Sequence, residues 1–203
     1  MSGLNRLPYD ANDLPTSGPL VDGDIVVHRF LPVQAAERLT PEQVRDYLAQ
    51  PGVHMLMRHA YAPGTGDPEH LDIQDCSTQR NLNDQGRSQA MSLGKELHRF
   101  GIHFHKIYTS QWCRCKETAR LLKHDVPLEE LTDLNSIWNL DREHVEGQTR
   151  RLREFIASRP PGVPLLFVTH QANILALTEV GVASGQSVLI EYTDGRLQVL
   201  GIY

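Results

Sequence analysis

Two short stretches, VHMLM at 53–57 and LLFVT at 165–169, constrain this chain more than any other feature. Each is a nearly unbroken apolar run of strand length, preceded by a helix breaker (Pro51-Gly52 and Pro164) and followed closely by a histidine. A run that is apolar at both odd and even positions has both faces to bury, as in a parallel sheet covered by helices on either side. A third short strand, Lys106 to Thr109, and several segments of helical pattern lie between the two runs. The expected fold is therefore α/β: a three-layer α/β/α sandwich around a mostly parallel sheet, with an N-terminal irregular arm. For 203 residues one domain is expected, with residues 1–40 as arm and extended segment and 41–203 as the domain.

The local signals fill in that plan. Residues 1 to about 24 are rich in Pro, Gly, Asp and Asn without periodicity, and Asp24 to Leu31 reads as an extended segment. Thr40-Pro41-Glu42-Gln43 supplies a threonine cap, a proline at the first helical position and a glutamine that closes a capping box, for a helix to about Gln50. After Met57, residues 62–80 carry Pro63, Gly64, Gly66, Asp67 and Pro68 and read as a long loop. Gly64-Thr65-Gly66 is not followed by the Gly-Lys-Ser/Thr of a nucleotide loop. Asn83 caps a helix whose stripe is Ala90, Leu93, Gly94 and Leu97, and Gly101 ends it. A second helix is expected over Cys113 to Lys123, a loop with a strand turn over Leu128 to Leu140, and further helices over Arg142 to Ser158 and Asn173 to Val180. Asp194-Gly195 marks a hairpin between Ser187–Tyr192 and Leu197–Tyr203.

Composition matters here mainly for what it excludes. A formal charge of -5 gives no electrostatic footprint for nucleic acid, so any anion site must be built locally. No apolar run approaches the roughly 20 residues of a membrane span, and MSGLNRLPYD lacks a leader's apolar core. The expectation is a cytoplasmic protein, with a periplasmic one as the alternative if a leader has been removed. Cys76, Cys113 and Cys115 are too few for a disulfide scaffold and lack zinc-site spacing. Cys113 and Cys115 are read as free thiols, and one disulfide from Cys76 stays open. His103-x-His105 reads as surface histidines, and Trp112 and Trp138 as packing residues that border a pocket as the second reading.

Chemistry gathers at three strand ends: Arg58-His59, Ser110 to Arg114, and His170. In a parallel sheet these ends share one edge, where α/β folds present their ligand crevices. Two arginines and two histidines there suit an oxyanion such as a phosphoryl group. A histidine becomes a nucleophile when its other ring nitrogen donates to a carbonyl, which fixes the tautomer.

Four pieces in order, Leu56-Met57-Arg58-His59-Ala60, Leu82-Asn83-x-x-Gly86-x-x-Gln89-Ala90, Ser110-Gln111-Trp112-Cys113-Arg114-x-x-x-Thr118-Ala119 and Val168-Thr169-His170, resemble the histidine phosphatase superfamily, or phosphoglycerate-mutase-like proteins. The resemblance covers roughly residues 42 to 203. It implies that His59 is transiently phosphorylated, that Arg58, Arg114 and His170 hold the phosphoryl group, and that no metal or other cofactor takes part. The implied activity is hydrolysis of a phosphomonoester or phosphoramidate, with a phosphorylated small molecule or a phosphohistidine protein as partner. Alternative readings are a phosphate-sensing or partner-binding pseudoenzyme and mutase-type phosphotransfer. The chain departs from the family pattern twice. Gln171 stands where the acid-phosphatase branch has an Asp, and Ser110-Gln111 replaces Ser-Pro. The general acid then falls to Asp133, in Leu131-Thr132-Asp133-Leu134, where the mutase-like branch carries a glutamate; Glu129 and Glu130 compete but read as solvated.

Overall fold

The computed structural model describes residues 36–203; the expected irregular arm and the extended segment Asp24 to Leu31 lie outside the described residues. The helix expected after Thr40 is α1, Pro41–Leu48. Both halves of the capping box are present, Gln43 N–H donating to Thr40 and the Gln43 side chain returning to Thr40 N–H. Four strand and helix pairs and a hairpin follow: β1 Val53–Arg58, α2 Asp84–Arg99, β2 Lys106–Thr109, α3 Cys113–Leu121, β3 Leu128–Glu130, α4 Arg142–Ala157, β4 Leu165–Thr169, α5 Gln171–Thr178, and the hairpin β5 Ser187–Thr193 and β6 Arg196–Ile202.

The six strands form one sheet in the order β3-β2-β4-β1-β5-β6. The pairs β3/β2, β2/β4 and β4/β1 are parallel, and β5 and β6 add an antiparallel edge. Asp194 and Gly195 both take positive φ (51° and 76°), the conformation a two-residue hairpin turn requires. Upstream of α1, Leu39 N–H donates to Ile202 C=O and Ile202 N–H to Glu37 C=O, each at 2.8 Å, which binds residues 37–39 to β6.

Strand alternation sorts the core into two faces. Val53, Met55 and Met57 of β1 pack with Val44 and Leu48 of α1, Leu97 of α2 and Ala119 of α3. Leu56 of the same strand faces the other way, toward Leu152 and Ile156 of α4 and Ile174 and Leu177 of α5. That is the expected three-layer α/β/α arrangement. Helix α4 reads as polar on most faces in sequence, yet its Gln148, Leu152 and Ile156 make a buried stripe. His54, which carried no motif, is a core residue on the second face; its Nδ1 accepts from Leu165 N–H and its ring meets Phe167 edge-on.

The close fit of α2 fixes what comes next. A Cβ at Gly86 would lie 1.9 Å from Tyr61 C=O, and one at Gly94 would lie 2.3 Å from Leu122 C=O. Only glycine lets α2 press against both the loop after β1 and the end of α3. Gln89 completes the clamp, accepting from Tyr61 N–H (2.9 Å) and donating to Ser184 C=O (2.8 Å).

Two sequence expectations need correction. Cys113 is not a free thiol: it is disulfide-bonded to Cys76, which lies on a single 3-10 turn, Cys76–Thr78, in the loop between β1 and α2. Residues 37 apart in sequence gave no local sign of the pairing. Trp138 does not pack either, being 62% exposed. Among the described residues no helix is long and apolar enough to cross a membrane.

Candidate active site

Parallel strands β1, β2 and β4 end together, and their ends deliver Arg58-His59, Ser110 and His170 to one edge of the sheet. His59 N–H donates to Thr169 C=O (2.9 Å), so the nucleophile candidate is hydrogen-bonded to the strand end that carries His170. The two imidazoles lie 5.4 Å apart, nearly edge to face. Arg114 enters from the first turn of α3. Thr118, one turn on, donates to Arg114 C=O (2.7 Å) and accepts from Ala60 N–H (3.0 Å), so one hydroxyl joins the helix that carries Arg114 to the strand end that carries His59.

The hydrogen bonds determine what each ring can do. His59 Nδ1 lies 2.7 Å from Ala60 C=O. A carbonyl only accepts, so Nδ1 carries the proton and Nε2 keeps its lone pair. Burial, then the positive charge of Arg114, push the His59 pKa down to about 3, with smaller pushes from Arg58 and Arg80 and an opposing pull from the Ala60 carbonyl. The ring is neutral and nucleophilic at any ordinary pH. His170 is fully buried and held well below its usual pKa by that burial, then by His59 and Arg114. Its Nδ1 faces Arg114 Nη2 (3.3 Å), a donor, so Nε2 carries the hydrogen and donates to Ser110 Oγ (2.9 Å). Ser110 Oγ then donates to Asn135 Oδ1 (3.3 Å).

The cationic side is denser than the sequence suggests. Arg114 is only 2% exposed, and its Nε has no hydrogen-bond partner among the described residues. Buried guanidinium donors without an acceptor are costly, and an oxyanion supplies acceptors. Arg58 donates to the Gln171 side chain and to Val182 C=O (3.0 Å). Arg80, which carried no motif, donates to Ala62 C=O (2.6 Å) and Gly66 C=O (2.7 Å), and its charge acts on His59. The carboxylate opposite is Asp67, two-pronged on Arg114 at 2.5 and 3.0 Å and accepting from Trp112 Nε1 at 3.0 Å.

Thus Arg58, His59, Arg114 and His170 come together, and among the described residues Asp133 shares no side-chain hydrogen bond or ion pair with them. Its carboxylate accepts from Arg151 of α4 at 2.8 Å. The neighbouring Asn135 reaches the site instead, accepting Gln111 N–H (2.9 Å) and donating to the Gln111 side chain (2.9 Å). Proline at 111 would have no N–H to give, which accounts for the departure from Ser-Pro in physical terms. Glu129 and Glu130 pair with Lys106 and Lys116 at the exposed edge. Trp112 does both things expected of it, packing on the core and standing 5.5 Å from the His170 ring. Cysteine chemistry has no place here: Cys113 is in the disulfide, and burial pushes the Cys115 thiol up to about 12. Among the described residues no group of three or more His, Cys, Asp or Glu is placed to hold a metal ion.

The family model of the histidine phosphatase superfamily (branch 1) matches residues 55–151. Over that stretch, a little under half of its length, the chain is similar to the histidine phosphatase superfamily. Curated relatives include the mitochondrial serine/threonine-protein phosphatase Pgam5 of Drosophila mojavensis, 34% identical over 76 residues (37% of this chain, 24% of the relative), and that of Drosophila grimshawi, 34% over 94 residues (46% and 27%). The matched region thus spans about a quarter of those relatives' length. The protein histidine phosphatase SixA complexed with tungstate shares the fold at TM-score 0.56 and 15% identity, covering 74% of this chain and 95% of that one. Bacillus stearothermophilus YhfR does so at 0.57 and 19%, covering 73% and 95%.

Asp67, Arg80 and Asn135 are the site residues that sequence reasoning passed over. For Asp67 the available signal was an acid directly after Gly64-Thr65-Gly66. Both glycines take positive φ (86° and 67°), which turns the loop so that Arg80 can bind the Gly66 carbonyl.

The buried histidines make stability pH-dependent. His54 and His59 have pKa values lowered to about 4 and about 3 in the folded protein, against about 6.5 when unfolded. Below pH 6.5 the unfolded state therefore binds more protons, and stability falls as pH drops toward 4. At pH 5 the loss is on the order of 2 kcal/mol for each ring. Urea midpoints should fall steadily from pH 7.5 to 5, and His54→Gln should flatten the slope; a pH-independent midpoint would contradict the neutral rings.

Proposed function

We propose that this chain is a phosphatase of the histidine phosphatase superfamily that hydrolyses a phosphomonoester or phosphoramidate through a phosphohistidine on His59. The observation that carries the reading is the state of His59: neutral, its Nε2 lone pair fixed by the Nδ1 bond to Ala60, and surrounded by the charges of Arg58, Arg80 and Arg114. Charge on the transferring phosphoryl oxygens grows as the ester bond breaks, and donors already oriented in a buried site stabilise that growth without rearranging. Arg114 and Arg58 supply the forked donors, and His170 adds an imidazole from the neighbouring strand end. Water then attacks phosphorus and frees His59.

The name of the curated relatives, a serine/threonine-protein phosphatase, supports a phosphorylated protein side chain as the substrate class. The Cys76–Cys113 disulfide supports an oxidising compartment, the periplasmic alternative, over the cytoplasm. The test is turnover of p-nitrophenyl phosphate, alkyl phosphates and a phosphohistidine protein by the full chain, with and without EDTA. Turnover of at least one, unchanged by EDTA, is expected because the positive charge comes from side chains. Phosphate binding without turnover would make it the pseudoenzyme, and loss on chelation restored by a divalent ion would replace the mechanism.

A further inference from the structure

The proposed reaction leaves one step without a residue, the proton for the departing oxygen. Asp133, the sequence candidate, is committed to Arg151, and Gln171 has no proton of carboxylic acidity to give. The carboxylate that does lie in the pocket is Asp67. Its two oxygens span both terminal nitrogens of Arg114, and Oδ2 also accepts from Trp112 Nε1.

We propose, building on the phosphatase reading, that Asp67 is the proton donor to the leaving group and the base that activates water in the second step. Two readings compete: a carboxylate that only holds the empty anion site, or one that only anchors its loop. The backbone decides against a removable plug. Arg80 grips Gly66 C=O, the carbonyl directly before Asp67, and also Ala62 C=O, while Arg80 C=O itself accepts from Arg114 Nη1 (3.2 Å). Arg114, Arg80 and the Asp67 loop therefore form one tied unit, and the side chain is 16% exposed, enough to exchange protons.

Consider what a phosphoryl group does on arrival. Its oxygens take the Arg114 donors that Asp67 held, and a tethered carboxylate is left against a phosphate anion. Like charges at hydrogen-bond distance are relieved by placing one proton between them, and a substrate that enters as the phosphate monoanion brings it. Trp112 still holds Oδ2, which leaves Oδ1 as the acid. The His59 Nε2 lone pair then forms the N–P bond as the P–O ester bond breaks, and the departing oxygen takes the Asp67 proton and leaves as an alcohol. In the second step water oxygen bonds to phosphorus, the P–N pair returns to Nε2, and the water proton goes to the Asp67 carboxylate, restoring the acid.

The experiment compares wild type with Asp67→Asn and Asp67→Glu across p-nitrophenyl, phenyl and alkyl phosphates. Asparagine keeps the acceptor for Trp112 and removes the acid. Alkyl phosphate turnover should fall about a hundredfold or more in Asp67→Asn while nitrophenyl phosphate, whose leaving group needs no proton, falls less than about fivefold. Asp67→Glu should recover part of the alkyl rate. The ratio of two substrates on one preparation does not depend on the folded fraction, so misfolding cannot imitate this result. Equal loss on both substrates, or equal or faster turnover of both, overturns the assignment. A wild type that turns over neither this series nor a phosphohistidine protein overturns the phosphatase reading itself and the Asp67 role with it; one that turns over only the phosphohistidine protein overturns the Asp67 role as donor to a leaving alcohol and leaves the phosphatase reading standing.

Discussion

Replacing His59 with alanine should abolish turnover, by about 10⁴-fold or more, the scale on which removal of a covalent nucleophile acts in other enzymes. The fold should tolerate the change, because the two hydrogen bonds that anchor residue 59 to its surroundings through the backbone remain available to alanine: its N–H to Thr169 C=O and its C=O to Gly185 N–H. Rapid mixing of the wild type with labelled substrate should trap a phosphoryl adduct on His59 that is stable in alkali and lost in acid, as expected for a phosphorus–nitrogen bond. Because the ring is neutral down to about pH 3, trapping should be as efficient at pH 5 as at pH 7 with a substrate whose own charge is constant. An adduct on another residue, or retained activity in His59→Ala, would remove His59 from the reaction.

Arg114→Lys should cost about a hundredfold in kcat/KM, or about 3 kcal/mol of transition-state stabilisation. Charge is conserved in this change and geometry is not. Arginine at 114 spans the anion site with two terminal nitrogens while Nη1 also meets Arg80 C=O and Nη2 faces His170; an ammonium group offers one nitrogen to all of them. Thr118 holds the helix backbone at Arg114 C=O in either case, so the melting temperature should shift far less than the rate. A loss below threefold would place Arg114 outside the phosphoryl contact.

What was legible in the sequence follows from the range of each signal. Strand β4 and strand β2 begin and end where the apolar runs do, since continuous burial is written in consecutive residues. The Thr40 box and the Asn83 cap are likewise local, made within three residues. Helix α5 starts at Gln171, two residues before the expected Asn173, because His170 serves as its N-cap without a side-chain cap bond, so the usual capping residue gives no sign there. The site divides in the same way. Arg58, His59, Arg114 and His170 sit at strand or helix ends and could be read from motif spacing. Arg80 and Asn135 act on partners 14 and 24 residues distant, and polar loop residues carry no mark of what they will meet. Asp133 shows the converse: its place in a motif matched, and the motif carried no mark that on the 3-10 turn Thr132–Leu134 its carboxylate meets Arg151, 18 residues away.

The Cys76–Cys113 bond sits one residue before Arg114 and within the loop that closes over the site. It encloses all of α2 and β2, its ends being 37 positions apart in sequence. On the chain-entropy view, cross-linking a segment of that length withdraws about 4 kcal/mol of freedom from the unfolded chain. Its effect within the folded protein is of another kind. The loop cannot fray as an independent unit, since opening it would carry the first turn of α3 along, and Arg114 with it. Local fluctuation at the rim is thereby raised in cost to that of disturbing a helix packed on the sheet, so the mouth of the site and its deepest cation breathe together or not at all.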